Sequence, residues 1–383
     1  MNASKRHLRF CSDIGHLKAA WRQIQGQGGV SHPMYSWEWM STWLEVFGDD
    51  CCLLAFILEE NGKPQAIVPM VGRKTTTNKV FSFNRLTIIG TGEPQKQEVF
   101  TEYADFPALQ GDNACMAASL AEAVSHLEGE FGWDDIVLYR IRPGSFARLF
   151  SEELGQKQGY RAAQTDSGVC YYIELPETME DYMYELSKKR RYQTRRSIRD
   201  LNDLGELTSR KAHTVEEALS ILDDLRKLHQ QRWQNKGEPG ACASEPFMRF
   251  HRRFINRTFD LGWPYLWALE LDGRPIACRY NIRYNNNVAC YLSGMTLLEN
   301  NRIQPGIVVH YYAIKDAIES GAREYDFLVG AQSYKESLSN ASRKLVTIRV
   351  SKNNFKERLR RLAVPTAKKA RKPFRWLADK WQS

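Results

Sequence analysis

Two segments of the chain, CCLLAFILEENGKPQAIVPMV (51–71) and PYLWALELDGRPIACRYNI (264–282), follow one pattern. Each is an apolar run, a two-residue turn, a basic residue with proline, and a second apolar run. Asn61-Gly62 and Asp272-Gly273 suit type I′ hairpins, whose two central residues both need positive φ. A helix-like stretch precedes each hairpin: YSWEWMSTWLEVF (35–47) and PFMRFHRRFINRTF (246–259). A helix and a hairpin with the same ending, twice in one chain, predict a tandem duplication. The competing reading is one large α/β domain with two unrelated hairpins.

The second half reads in order. TVEEALSILDDLRKLHQQRWQNKG (214–237) has the spacing of a long amphipathic helix. After the hairpin, NVACYLSGM (287–295) predicts a third strand. Pro305-Gly306 opens a helix, since proline suits a first turn, and Ile307, Val308, Tyr311, Ile314 and Ile318 fall near one of its faces. EYDFLVG (324–330) follows as a short strand, and RKLVTIRV (343–350) as the last. This order predicts a mixed sheet with helices on its faces. The domains expected are 1–165, 166–351 and a basic aromatic tail, 352–383.

Composition narrows the function classes. The formal net charge is +9, but residues 352–383 carry eleven basic and two acidic residues, so residues 1–351 sum to zero. The basic character belongs to a tail, which weakens a reading of the whole protein as a nucleic-acid binder. No run approaches a membrane span, and the N-terminus has no secretory h-region. The eight cysteines have neither C-x-x-C nor zinc-ligand spacing. Free thiols in a reducing cytosol are expected, with Cys52, Cys278 and Cys290 in apolar strand-like runs.

SKKRRYQTRRSIRDL (187–201), LHQQRW (228–233), QPGIVVHYYAIKDAIESGA (304–322) and YDFLVGAQSYK (325–335), in this order, resemble the GNAT acyltransferase superfamily. More narrowly they are similar to the bacterial GNAT-like acetyltransferases linked to cellulose and exopolysaccharide biosynthesis, tandem-GNAT proteins with the architecture of Fem-type peptidyltransferases. The resemblance covers about 160 residues of the second half; the first half matches in architecture and in SWEWMSTWLEVFG (36–48). It implies an α/β (α+β mixed-sheet) fold of tandem GNAT-like domains. It also implies acyl transfer from acetyl-CoA or another acyl-CoA to an amine or hydroxyl of a sugar or envelope precursor, without a metal. The usual Q/R-x-x-G-x-G/A phosphate loop is degenerate here: Ile303 holds the Q/R position and Pro305 removes an N–H donor. Fem-type relatives use aminoacyl-tRNA instead, so the fold leaves the donor open. A non-catalytic accessory protein of a polysaccharide synthase is the third reading.

Direct acyl transfer needs a base, an oxyanion donor and a hold on the carrier. His229, with Trp233 one turn on, is the candidate base, or else a helix-surface or capping histidine. Asp326, an acid in a buried strand, either contacts the acceptor or forms a structural ion pair. Tyr334 and Lys335 offer a hydroxyl and a cation near the donor carbonyl, against the alternative of a solvated loop. Arg302, Gln304 and Gly306 would hold a phosphate or pantetheine at a helix N-terminus, or mark an ordinary helix start. Arg191 and Arg195 share a face of the basic helix and suit a phosphate-bearing donor or a polyanionic acceptor, unless that face is simply solvated. Trp233 and Tyr291 complete the expected substrate-binding set. Trp37, Trp39 and Trp43 lie in the opening helix of the first half; Trp39 and Trp43, four residues apart, read as core, with sugar stacking the alternative. KKARKPFRWLADKW (368–381) suits an arm on an anionic membrane surface or against polysaccharide-synthesis machinery. The setting expected is the cytoplasm, at the inner face of the membrane.

Overall fold

The computed structural model of the chain describes residues 6–77, 81–127, 132–300, 302–330, 332–354 and 357–358. In chain order its elements are β1 (Arg6–Cys11), α1 (Ile14–Gly26), α2 (Trp37–Phe47), β2 (Cys52–Glu60), β3 (Lys63–Thr77), β4 (Phe81–Ile88), α3 (Asn113–Ser125), β5 (Asp135–Ile141) and α4 (Phe146–Gln156). There follow β6 (Tyr160–Glu174), α5 (Met179–Glu185), α6 (Lys188–Leu204), β7 (Leu207–Lys211), α7 (Val215–Gln234), α8 (Glu245–Thr258), β8 (Pro264–Leu271), β9 (Arg274–Tyr284) and β10 (Asn287–Met295). The last are α9 (Pro305–Glu319), β11 (Glu324–Val329), α10 (Ser333–Leu338) and β12 (Ala341–Lys352). Two compact units result, one running to Ser167 and resuming at Lys344, the other spanning Gly168–Arg343.

The two units repeat one topology. In the first, β1-β2-β3-β4 pair antiparallel, β4 and β5 parallel, and β5 and β12 antiparallel. In the second, β7-β8-β9-β10 pair antiparallel, β10 and β11 parallel, and β11 and β6 antiparallel. The repeated hairpins agree in register. Glu60 faces Lys63 and Glu59 faces Pro64 before Leu58 shifts to Ala66; Leu271 faces Arg274 and Glu270 faces Pro275 before Leu269 shifts to Ala277. Proline cannot donate to a ladder, so in both copies it stands at the irregularity. Asn61, Gly62, Asp272 and Gly273 all have positive φ, as type I′ turns require. The expected mixed α/β fold is the one found. The strand read at the end of the second half lies, from Lys344 on, in the first unit, beside β5. Alternation shows that a segment is a strand but not which strand it joins.

The core of the second unit lies between the sheet and α5, α6 and α9, with Tyr265, Trp267, Leu269, Val308, Ile314 and Tyr325 buried in it. In the first unit Trp39 and Trp43 are buried, as expected, and so is Trp37. Cys278 and Cys290 are buried too, but Cys52, grouped with them from its apolar surroundings, is exposed at the first residue of β2. The tail lies outside the described residues except at its start.

One buried acid in the first unit has a measurable signature. Glu93 Oε2 accepts from the Trp43 indole (3.0 Å) and Oε1 from the Val99 N–H (2.7 Å). Burial, with help from Glu98, pushes its carboxyl up from 4.5 to about 7. Between those values the folded chain holds a proton that the unfolded chain has released, so stability falls as pH rises through that window. Asp105, raised by burial to about 6, adds to the fall at lower pH. Glu93→Gln is expected to flatten the loss of urea midpoint between pH 5 and pH 7.5 that the wild type shows. An unchanged slope would place the dependence elsewhere.

Candidate functional site

The parallel pair β10 and β11 is held together over only three residues: Asn287 with Glu324, Val288 with Tyr325, and Ala289 with Asp326. Beyond these the strands are irregular. β10 shifts register against β9 between Cys290 and Leu292, and β11 shifts against β6 between Asp326 and Val329. Leu328 has φ 57°, a conformation costly for a branched side chain. Past Ala289 and Asp326 no further β10–β11 pair forms among the described residues, and the two strands part there in a wedge.

Asp326 and Lys335 build one side of this wedge. Asp326 Oδ1 accepts from the Leu328 N–H at 2.7 Å, bracing the left-handed turn. The buried ammonium of Lys335 donates to the carbonyls of Phe327 (2.7 Å), Leu328 (3.2 Å) and Val329 (3.0 Å). An ammonium has three donors, and the end of β11 supplies three acceptors. The sequence brings Asp326 and Lys335 to this place, where both hold the end of β11. Tyr334, on the first turn of α10, lies against His310 and Phe327, with ring centroids at 5.8 Å and 6.3 Å.

The start of α9 forms the other side. Ser187, Thr214 and Ser244 cap α6, α7 and α8 through their side chains, but Gln304 gives α9 no side-chain cap. Its Oε1 accepts instead from Arg190 (3.1 Å). The Arg196 guanidinium donates to the Arg302 carbonyl (2.9 Å), and the Gln304 N–H to Ser197 Oγ (3.2 Å). Gly306 lets the helix meet the end of β10: a Cβ there would lie 2.6 Å from Met295 Cε. Burial holds the Arg190 pKa below its usual value, and its Nε is buried without a partner among the described residues. A helix N-terminus flanked by two guanidiniums is suited to an anion such as a pyrophosphate.

Other candidates sit elsewhere. Arg191 donates to the carbonyls of Met183 (3.2 Å) and Tyr184 (2.7 Å) at the end of α5, and Arg195 is exposed. The arginines that reach α9 are Arg190 and Arg196. The signal for the first was the stripe Arg190, Thr194, Ser197, Leu201 at helical spacing, of which the last three are buried. His229 is buried, and its Nε2 accepts from the Trp233 indole at 2.9 Å. That bond fixes the neutral tautomer, and burial lowers the His229 pKa to about 4. A base would need the lone pair that Trp233 occupies, so His229 and Trp233 form a packed pair, closed over by Gly240. The Tyr291 hydroxyl shares a hydrogen bond of 3.1 Å with His251 Nε2 in the core beneath α8. Among the described residues no helix is long and apolar enough to cross a membrane, and no cluster of three or more metal-ligating side chains occurs.

Residues 188–336 match the family described as an acetyltransferase (GNAT) domain. That span contains the wedge, the start of α9 and the basic helix. No curated protein sequence matches the chain. Among solved structures the chain is similar to FemX, with TM-score 0.59 and 9% identity over 92% of this chain and 99% of that one. It is also similar to the C-terminal domain of a putative lysylphosphatidylglycerol synthetase from Agrobacterium fabrum (TM-score 0.52, 11% identity, 91% and 96% covered). L-PGS from Bacillus licheniformis gives TM-score 0.51 and 12% identity, with 92% and 95% covered. At such identities the likeness is one of fold. The chain has a GNAT-like fold, and residues 188–336 of its second unit are what match the GNAT acetyltransferase-domain family.

Proposed function

We propose that the second unit moves an acetyl or longer acyl group from acyl-CoA to an amine or hydroxyl of a sugar or an exopolysaccharide or cell-envelope precursor. The observation that carries this reading is the wedge where β10 and β11 part, with the uncapped start of α9 beside it. Arg190, Arg196 and the first turn of α9 would hold the pyrophosphate. The edge of β10 past Ala289, paired with β9 but no longer with β11, would face the reacting carbonyl, where fixed N–H donors stabilise a developing oxyanion. The thioester supplies the activated acyl group, so no covalent enzyme intermediate is required. Asp326 is the proposed proton acceptor and Tyr334 a hydroxyl donor, while Lys335 and His229 act through the structure they hold. The basic tail would bring the enzyme to an anionic membrane surface, where lipid-linked precursors and polysaccharide-synthesis machinery reside.

Calorimetric titration with acetyl-CoA tests the donor. A charge-assisted hydrogen bond contributes about 1.5 kcal/mol, so Arg190→Gln and Arg196→Gln are each expected to weaken binding about tenfold. No heat with acetyl- or longer acyl-CoA would sink this donor. One observation favours a second reading: Lys188, Lys189, Arg195 and Arg199 are exposed on α6, a cationic face suited to a polyanion such as an aminoacyl-tRNA. Salt-sensitive binding of charged tRNA without acyl-CoA binding would establish that alternative.

A further inference from the structure

Two arginines of the described structure are buried, Arg140 and Arg279. Arg140 is paired with Glu98. Arg279 has no carboxylate within ion-pair distance among the described residues, although it is 3% exposed and its Nε lies buried without a hydrogen-bond partner. A guanidinium does not discharge by deprotonation at any ordinary pH. A buried charge without a counter-ion costs several kcal/mol, on the order of the whole stability margin of a domain.

The position of Arg279 suggests what balances it. It stands on β9 opposite Ser293 of β10, past the last β10–β11 pair at Ala289. Tyr334, which follows the end of β11 and packs on Phe327, is nevertheless among the electrostatic neighbours of Arg279. The guanidinium therefore lies near the place where the two strands have parted. Arg232, at the end of α7, lies within electrostatic range of Tyr334 and Arg279, so a second cation shares the neighbourhood. Nearby polar groups are also unsatisfied. Asn281, two residues along the same strand and on the same face, has both amide atoms buried without partners. His310 gives Nδ1 to the Tyr325 hydroxyl (2.9 Å) and leaves Nε2 buried and unpartnered.

We propose that Arg279, with Arg232 and the Tyr334 hydroxyl, is the counter-ion site for a carboxylate or phosphate borne by the substrate that enters the wedge. The placement of substrate there rests on the acyltransferase reading; the anion site itself does not. Two guanidiniums and a hydroxyl can offer an oxyanion charge-assisted hydrogen bonds. The anion would arrive either on the acyl group, as in a dicarboxylic acyl thioester, or on the acceptor, as in a uronate or a sugar phosphate.

The test uses the full chain with malonate and with inorganic phosphate, against chloride at equal ionic strength. A saturable rise in melting temperature is expected for the wild type, and none for Arg279→Gln. Without added anion the variant is expected to melt no lower than the wild type, because an uncompensated buried charge is gone. Arg232→Gln, at a half-buried position, should weaken the same anions at least threefold and covers the case in which Arg279→Gln does not fold. Absence of saturable stabilisation in the wild type, or equal stabilisation in both variants, overturns the proposal. Acetyl-CoA titrated into the same samples separates the two readings. Anion binding that depends on Arg279 without acetyl-CoA binding keeps the site and removes the acyltransferase. A preference for succinyl-CoA over acetyl-CoA that falls at least tenfold in Arg279→Gln puts the anion on the acyl group. Loss of glucuronate or glucose 1-phosphate binding with that preference intact puts it on the acceptor.

Discussion

Replacing Lys335 by methionine is expected to lower the unfolding free energy by about 3–5 kcal/mol, mostly by stranding three carbonyls. Methionine keeps the length of the aliphatic stem, so the loss is of donors rather than of volume. Phe327, Leu328 and Val329 all give their carbonyls to this one ammonium. A buried acceptor left alone costs about 1–3 kcal/mol, and the sum is reduced because a buried charge is removed with it. The same bonds hold Leu328 left-handed, so the end of β11 is expected to relax toward regular pairing and close the wedge. Acyl transfer should therefore fall with stability. Lys335→Arg should not rescue it, since a planar fork cannot aim three donors at three converging carbonyls. Urea unfolding checks the first part: a loss below about 1 kcal/mol would mean that water replaces the ammonium without penalty.

Much of this was legible in the sequence, and what was not has physical causes. Asn61-Gly62 and Asp272-Gly273 are local signals, because a type I′ turn is specified by the two residues that form it. The helix at Pro305 is local for the same reason. The acid in EYDFLVG marked a special place, but its partner is the N–H of Leu328, and nothing in a leucine announces positive φ. Along the chain Lys335 reads as a cation near the donor carbonyl or as a solvated loop lysine, and it is enclosed by the end of the strand before it. His229 was chosen for its ordinary pKa class, yet burial beside Trp233 removes that property. An arginine within a strand, as Arg279 in RPIACRYNI, reads as a surface position until its neighbours are known. In each case the residue type is visible along the chain, while its protonation and partners are set by tertiary packing.

Gly294→Ala is the second change expected to have a large effect, about 3 kcal/mol, through overpacking. A glycine inside a strand marks either an irregularity or a close approach of another backbone. Here it is the second: a Cβ on Gly294 would lie 2.6 Å from the Leu225 carbonyl oxygen, and 3.0 Å from both the His229 nitrogen and Leu228 Cβ. Two of those atoms are helix backbone, so no rotamer change makes room and α7 must lift from β10. Lifting it loosens the face on which Leu225 and Leu228 pack and displaces Arg232, three residues beyond His229. The variant is therefore expected to unfold at lower urea and to bind wedge-seeking anions more weakly, while acetyl-CoA affinity at the start of α9 stays within about threefold, since Arg190 and Arg196 are carried by α6 and not by α7. A stability loss under about 0.5 kcal/mol would mean that α7 rides over the sheet freely. In that event Arg232 would have no fixed place beside Arg279.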